Sequence, residues 1–184
     1  MIYDLRRVDV AVKWLVSCLL ATFGIAYMFG AWMVGLYAGF TPKSVAATYA
    51  EPEMAMHMPP DTSVVVRRQV TLGELAATDE QHVVDRDLLV QDTHVHVPMY
   101  GVIAAALSLV ALGLPLARSG ALALITLLFA APWLDFAGMW LTKLASPRFA
   151  AVTLLGGWAM GAGYTVVTAL ALWHMWKPRK GAST

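Results

Sequence analysis

The sequence predicts an all-α integral membrane protein, a bundle of four transmembrane helices with a small extracytoplasmic cap between the first and second helices. Its 184 residues are 59% hydrophobic and only 14% charged, with a mean hydropathy of +0.62. A soluble domain is usually about 45–50% apolar and about a quarter charged. The apolar residues also fall into four long runs, and about 20 residues are enough to cross roughly 30 Å of hydrocarbon.

The four apolar runs give the predicted spans, which are residues 14–40, 98–117, 120–141 and 149–176. Short turns, "PLARSG" and "TKLASPR", join the second span to the third and the third to the fourth. Residues 1–13 and 177–184 form polar ends, and residues 41–97 form the one sizeable polar region between spans.

The distribution of Lys and Arg predicts the orientation, because cytoplasmic segments near spans carry an excess of both. One side has seven such residues and the other has three: Arg6, Arg7, Lys13, Arg118, Lys177, Arg179 and Lys180 against Lys43, Lys143 and Arg148. Both termini are therefore predicted to be cytoplasmic in a bacterial inner membrane, with residues 41–97 in the periplasm.

Composition also limits the classes of function. The net charge of +1 gives no basis for binding nucleic acid. A single cysteine, Cys18, excludes an internal disulfide framework and a cysteine-based zinc or iron–sulfur site within one chain. The predicted partners are the lipid bilayer and either other membrane subunits or a periplasmic redox protein.

The loop of residues 41–97 carries nine acids and four bases, so it favours cations and cationic partners. Residues 63–72 are rich in β-branched side chains and predict a short strand or hairpin. "TLGE" at 71–74 has the spacing of a capping box, which predicts a short helix. Together these features predict a small folded cap over the outer helix ends.

The first candidate site is "DTHVHVPM", which contains His94 and His96. Pro98 suits the first turn of a helix, and it disfavours the helical conformation for the residue before it. If residues 93–97 are extended, the two imidazoles point to the same side and can share a metal or haem. Asp92 is then placed to orient a ligating imidazole. The alternative is two ordinary histidines at the start of a helix.

A second candidate site is "MAMHM", in which Met54, Met56 and Met58 alternate around His57. Thioether and imidazole ligands suit copper, and methionine sulfur selects Cu(I). The run resembles the methionine motifs of extracytoplasmic copper-handling proteins. The alternative is that a methionine-rich segment packs adaptably against helix ends.

A third candidate is Asp135 in "PWLDFAGMWL", the only acid inside a predicted span. Placing a carboxyl group inside a membrane span costs free energy, so such a group usually faces the bundle interior and has a partner. Tyr100 lies in the same outer leaflet. Asp135 and a histidine are therefore candidate proton acceptors for a quinol, although the acid could instead pair with Arg148 or a tyrosine and hold helices together.

Two Gly-x-x-x-Gly patterns, Gly35 with Gly39 and Gly157 with Gly161, predict close helix packing in lipid. His174, among tryptophans at the inner interface, is expected to have no ligand role.

The sequence therefore predicts a membrane subunit of a respiratory or redox complex, with copper or haem b held by histidines at the outer face. The alternative is a non-catalytic accessory subunit that docks partner proteins without a cofactor. No nucleophile–base pattern or nucleotide motif marks an enzyme, so whether the chain is catalytic stays open.

Overall fold

The computed structural model describes residues 3–50 and 83–177. It contains four long helices, a short one and a single 3-10 turn: α1 (Val10–Tyr37), α2 (Pro42–Tyr49), α3 (Arg86–Leu112), α4 (Arg118–Leu144), the turn Pro147–Phe149 and α5 (Ala150–Trp176). The four long helices are each long and apolar enough to cross a membrane. The predicted four-helix membrane bundle is thus confirmed. Residues 51–82, with the predicted strand and short helix of the cap, lie outside the described residues.

Side-chain caps set where the helices begin. Asp9 accepts a hydrogen bond from the Ala11 backbone at 2.8 Å, and Asp85 accepts one from Leu88 at 2.7 Å. Each satisfies a backbone N–H that the first helical turn leaves unpaired. After α1, Gly39 adopts a φ of +70°, a left-handed conformation that glycine adopts at little cost. This residue turns the chain back toward α2.

Helix α3 differs most from its predicted bounds, because it begins at Arg86 and continues through Pro98. The predicted extended segment at residues 93–97 is wrong. The missing N–H of a proline inside a helix costs roughly 3 kcal/mol or more. Upstream of the proline, α3 gains the Asp85 cap and buries Leu89 completely, and these interactions favour a continuous helix.

The helices pack in a clear order of closeness. Helices α4 and α5 form the tightest pair, α3 lies against α4, and α2 covers one end of α4 and α5. The core between them includes the buried side chains of Leu107, Leu128 and Val167. Helix α1 contacts mainly α5, and Leu20 is its only buried residue.

Two glycines permit the close approach of α4 and α5. A Cβ added to Gly138 would lie 2.7 Å from the Cα of Thr153, and one added to Gly156 would lie 2.7 Å from the Cα of Asp135. Both contacts are with backbone, which cannot move without shifting a helix. A Cβ on the neighbouring Gly157 would meet nothing within 4 Å. The backbones of α4 and α5 are therefore in close contact at Gly138 and Gly156.

The segment before α1 ties the two chain ends together. Leu5 is fully buried, and its N–H donates to the Gly113 carbonyl at 3.1 Å. Nε2 of His174 lies 2.9 Å from the Asp4 carboxylate, and this bond is the largest of the interactions that lower the pKa of Asp4. Residues 3–5 and the end of α5 thus share one end of the bundle, here called the terminal end. The opposite end is called the α2 end.

The glycine contact predicts a difference between two adjacent substitutions. Gly156→Ala should destabilise the bundle by about 1–3 kcal/mol, because overpacking forces backbone to shift. Gly157→Ala is the matched control and should leave stability nearly unchanged. Equilibrium unfolding in mild detergent measures both, and equal effects from the two variants would contradict the assigned packing.

Candidate functional site

Three side chains that can carry protons line one face of α3 near the α2 end. Asp92, His96 and Tyr100 are four residues apart, so they stack on the same side of the helix. Nδ1 of His96 lies 2.9 Å from a carboxylate oxygen of Asp92 and 2.9 Å from its backbone carbonyl. The His96 and Tyr100 ring centres are 5.9 Å apart. These three side chains form a line along α3, the Asp92–His96–Tyr100 line, which leads from a partly exposed carboxylate toward the bundle.

The hydrogen bonds decide which nitrogen of His96 is available. Both oxygens next to Nδ1 belong to Asp92 and act as acceptors, so Nδ1 must donate. The neutral imidazole then presents Nε2 with its lone pair. A histidine held this way by a carboxylate can accept a proton or bind a metal through Nε2. The orienting role expected for Asp92 matches this arrangement.

Helix length places this pair near the membrane boundary. Helix α3 has 27 residues, which at about 1.5 Å per residue make a helix about 40 Å long. The hydrocarbon core is only about 30 Å thick, or about 20 residues of helix. Counting back from Leu112, the hydrocarbon begins close to residue 93. If the hydrocarbon ends at Leu112, this count puts Asp92 and His96 near the interface and Tyr100 inside it.

Polar anchors hold this part of α3 against its neighbours. Nε1 of Trp140 donates to the Thr93 hydroxyl at 3.0 Å, and the Lys143 ammonium group donates to the Val84 carbonyl at 3.0 Å. The Val84 N–H in turn donates to the Thr48 carbonyl at 2.8 Å. These bonds join α2, α3 and α4, so the position of His96 is fixed from two sides.

Tyr49, the last residue of α2, packs into the apolar cluster below these anchors. Its neighbours there include the buried Leu89, Phe136 and Met139. Burial raises the pKa of Tyr49 from its usual 10.0 to about 12, and the charges of Asp135 and Asp92 add to the rise. The phenol is therefore neutral and sits within electrostatic range of both carboxyl groups.

A cavity of about 280 Å³ lies between α3 and α4, beside Tyr100. Tyr100 and Gly101 line it from α3, and the rings of Phe129, Trp133 and Phe136 line it from α4. Phe129 and Trp133 are 40% and 61% exposed, so the cavity opens toward the surface that faces lipid. We call it the α3–α4 groove.

Comparison with known proteins places the chain in a family of membrane domains. The model of the Aq_1264_TM family, a transmembrane helical domain, matches residues 39–182. The chain belongs to this family. Neither a curated protein nor a solved structure is similar enough to match. The matched part begins at Gly39, after the end of α1 at Tyr37, so it contains the groove and the whole Asp92–His96–Tyr100 line.

The helical conformation separates the two histidines that were predicted to share a site. Two residues along a helix correspond to a rotation of about 200°, and His94 is exposed while His96 binds Asp92. His94 and His96 of one chain therefore do not converge. Within residues 3–50 and 83–177, no three His, Cys, Asp or Glu side chains are grouped closely enough to hold a metal ion.

The other predicted metal and proton-site residues fall in two places. Met54, Met56, His57 and Met58 lie outside the described residues. Asp135 lies where α4 meets α5, and within the described part of the chain no ion pair links it to Arg148.

The four glycines predicted to pack helices also have distinct surroundings. Gly35 lies against the Phe40 ring, Gly39 forms the turn after α1, and Gly161 lies beneath the Tyr27 phenol. Gly157 has open space where a side chain would be, although its carbonyl accepts a hydrogen bond from Tyr27 at 3.2 Å.

Two parts of the site were not predicted from the sequence, namely Tyr49 and the aromatic wall of the groove. Phe129, Trp133 and Phe136 follow a spacing of four and then three residues, which places them on one helical face. That spacing is a usable signal. Tyr49 has no comparable one, because its burial depends on how α2 folds over α3 and α4.

The pKa of Tyr49 predicts how stability changes at high pH. The unfolded chain loses the phenolic proton near pH 10.0 and the folded chain near pH 12. Folding stability should therefore fall as the pH rises from 10 to 12, by up to about 3 kcal/mol for this group.

Unfolding free energies measured across that pH range for wild type and Tyr49→Phe test this expectation. The Tyr49→Phe curve should be flatter, whereas Tyr37→Phe should keep the wild-type slope because Tyr37 is exposed. Parallel curves for wild type and Tyr49→Phe would contradict the assignment.

Proposed function

We propose that the chain is a membrane subunit of a redox complex and that it binds a quinol in the α3–α4 groove, with His96 as the proton acceptor. One observation carries this proposal. The groove and the Asp92–His96 pair meet at Tyr100, which lines the groove and lies 5.9 Å from the imidazole ring.

The size and lining of the groove favour a quinol ring over a porphyrin. Its volume of about 280 Å³ is below the roughly 300–1,000 Å³ of most small-molecule sites. One or two fused rings fit such a space, whereas a haem does not. The rings of Trp133 and Phe129 offer flat apolar faces, and the opening toward lipid would admit a quinol with its tail left in the membrane.

The chemistry assigned to the residues is a proton-coupled oxidation. A quinol hydroxyl donates its proton to Nε2 of His96, and the imidazolium that forms is stabilised by the Asp92 carboxylate. The proton then passes to water, since both side chains are partly exposed. Oxidation to the quinone releases two protons and two electrons in all, and a haem or copper centre of the complex would be suited to accept the electrons.

We place that haem or copper centre at the α2 end as well. Candidate ligands for it are His94, which is exposed and on another face of α3, and Met54, Met56, His57 and Met58, which lie outside the described residues. A partner membrane subunit or a periplasmic redox protein would complete such a centre, because His94 and His96 do not converge within one chain.

The alternative function, an accessory subunit without a cofactor, is supported by α1. The outward face of α1 carries Met28, Phe29 and Trp32, all more than 60% exposed, and Leu20 is the only buried residue of this helix. Such a face suits a neighbouring helix of a larger complex. On this alternative the groove holds only lipid chains, and quinone does not bind in a saturable way.

The topology forms part of the proposal: the terminal end faces the cytoplasm of a bacterial inner membrane. In a Cys18→Ala background, Gln91→Cys should react with a membrane-impermeant maleimide in intact cells. Ser119→Cys, at the terminal end, should react only after permeabilisation. The opposite pattern would reverse the orientation and place His96 on the cytoplasmic side.

Quinone binding is the direct test of the proposed function. A short-chain naphthoquinone or benzoquinone added to the protein in lipid nanodiscs should quench tryptophan fluorescence with a saturable component. Trp133→Phe should remove most of that component, whereas Trp158→Phe, which changes an exposed tryptophan of α5, should retain it.

Gly101→Leu should block binding by filling the groove. Gly120→Leu is its control, because neither glycine has a neighbour within 4 Å of an added Cβ.

When the reduced quinol competes with the quinone in this assay, His96→Gln should weaken quinol binding by about two- to tenfold, the worth of one hydrogen bond. His94→Gln should leave the affinity unchanged. Quenching that is linear in quinone, or that is insensitive to both Trp133→Phe and Gly101→Leu, would favour the accessory function.

A further inference from the structure

A second group of polar side chains lies inside the bundle, and each of the four spans contributes one member. Tyr27 comes from α1, Tyr100 from α3, Asp135 from α4 and Tyr164 from α5. The Tyr27 and Tyr164 ring centres are 5.7 Å apart. The Tyr100 ring centre lies 5.9 Å from that of Phe136, the residue after Asp135. The Tyr27 hydroxyl donates to the Gly157 carbonyl at 3.2 Å, next to the Gly156 that contacts Asp135. We call these four residues the inner cluster.

The inner cluster contains a hydroxyl that the protein leaves unsatisfied. Tyr164 is 8% exposed, and its hydroxyl has no hydrogen-bond partner among the described residues. The hydroxyls of Ser108 and Thr153, 7% and 8% exposed, have none in that part of the chain either. Leaving a buried hydroxyl unpaired costs about 1–3 kcal/mol, and such groups are normally satisfied by buried water. The cluster is therefore suited to hold water.

Among the residues that the structure describes, the groups near Asp135 are neutral or negative. They are Tyr27 from α1, Tyr49 from α2, Tyr100 and the Asp92 carboxylate from α3, and the α5 backbone at Gly156. No described cationic side chain forms an ion pair with Asp135. An ionised carboxylate buried without a partner costs far more than the neutral acid. In this proposal the partly buried Asp135 is taken to be the neutral acid at rest.

The ligand that suits this arrangement is a proton rather than a metal cation. A hard cation needs about six oxygen ligands with enough negative charge among them. The inner cluster offers only one carboxyl group and three phenols. These groups can bind a proton shared with water, but they are too few to bind a metal cation.

We propose that Asp135, with Tyr27, Tyr100 and Tyr164, forms an internal proton-binding site that exchanges with the α2 end through Tyr100 and the Asp92–His96 pair. On release, the Asp135 O–H bond breaks, and the proton moves through water and the Tyr100 hydroxyl to Nε2 of His96. The carboxylate is left behind and is reprotonated by the reverse route. The site rests on the proposed function only for its role: once it has released its own proton, the Asp135 carboxylate would take up the second proton of the quinol.

Infrared spectroscopy of the full chain in lipid nanodiscs tests the site without any quinone. The carbonyl stretch of a protonated carboxyl group should be present at neutral pH and shift in D₂O. It should vanish in Asp135→Asn and persist in Asp87→Asn, which changes an exposed acid of α3. Tyr164→Phe should move the band, because the Tyr164 hydroxyl shares the same water.

The route is tested by the rate at which that band shifts after transfer to D₂O. His96→Gln should slow the exchange at least about tenfold, the usual contribution of a positioned acid or base. His94→Gln should not change it. Asp135→Glu is the control for misfolding of Asp135→Asn, because it changes the same position but keeps a carboxyl group.

Absence of an Asp135-dependent band would overturn the internal site, and a band whose exchange ignores His96→Gln would overturn the route. Quinone quenching measured on the same samples separates this result from the proposed function. A lost band with saturable quenching intact refutes the inner cluster alone, whereas an intact band without quenching refutes only the quinol site.

Discussion

The close contact between α4 and α5 is the constraint on which the rest of the structure depends. In lipid, apolar side chains gain little by leaving the solvent, so helices associate through close packing and polar contacts. Gly138 against Thr153 and Gly156 against Asp135 supply two such points along one helix pair. Together they fix both the spacing and the rotation of α4. That rotation places Asp135 at the contact with α5 and leaves Phe129, Trp133 and Phe136 to form the wall of the groove.

The bundle consists of a three-span core and one peripheral helix. The family match begins at Gly39 and contains α2 to α5, which make the closest contacts. Helix α1 is attached through the buried Leu5 near the chain end, Leu20 and the hydrogen bond from Tyr27 to Gly157. The groove therefore belongs to the family domain, whereas the inner cluster needs α1 for one of its four members.

Much of the fold could be predicted from the sequence, because an apolar run of 20 or more residues is rarely anything but a membrane-spanning helix. The bounds of α4 and α5 lie within a few residues of the predicted spans for the same reason. The predicted span starts at Pro98, whereas α3 starts at Arg86, because a proline suggests a boundary that this helix passes through. A local proline preference is worth a few kcal/mol, and the cap at Asp85 and the burial of Leu89 outweigh it.

The packing glycines show the same limit on a finer scale. The Gly-x-x-x-Gly pattern indicated Gly157, but the adjacent Gly156 makes the contact. Sequence spacing reveals that a helix has a flat surface, but the partner helix decides which face is used. His94 and His96 illustrate the point again, since the predicted pair depended on a backbone conformation that tertiary contacts replaced.

The proposed function joins two features that the sequence showed separately, an interfacial histidine and an aromatic span. Asp92 orients His96, Tyr100 connects it to the groove, and the groove opens toward the membrane from which a quinol would come. The inner cluster adds a partly buried acid, Asp135, next to the Phe136 ring that Tyr100 contacts. Proton-accepting groups thus lie on both sides of Tyr100, at the interface and in the core.

The most direct measurement is photolabelling of the protein in native membranes with an azidoquinone, followed by identification of the labelled peptides. The account predicts labels within residues 97–104 of α3 and 129–136 of α4, lost when excess unlabelled quinone competes. Labels confined to α1 or to the face of α5 that carries Trp158, or labelling that competition does not reduce, would contradict it.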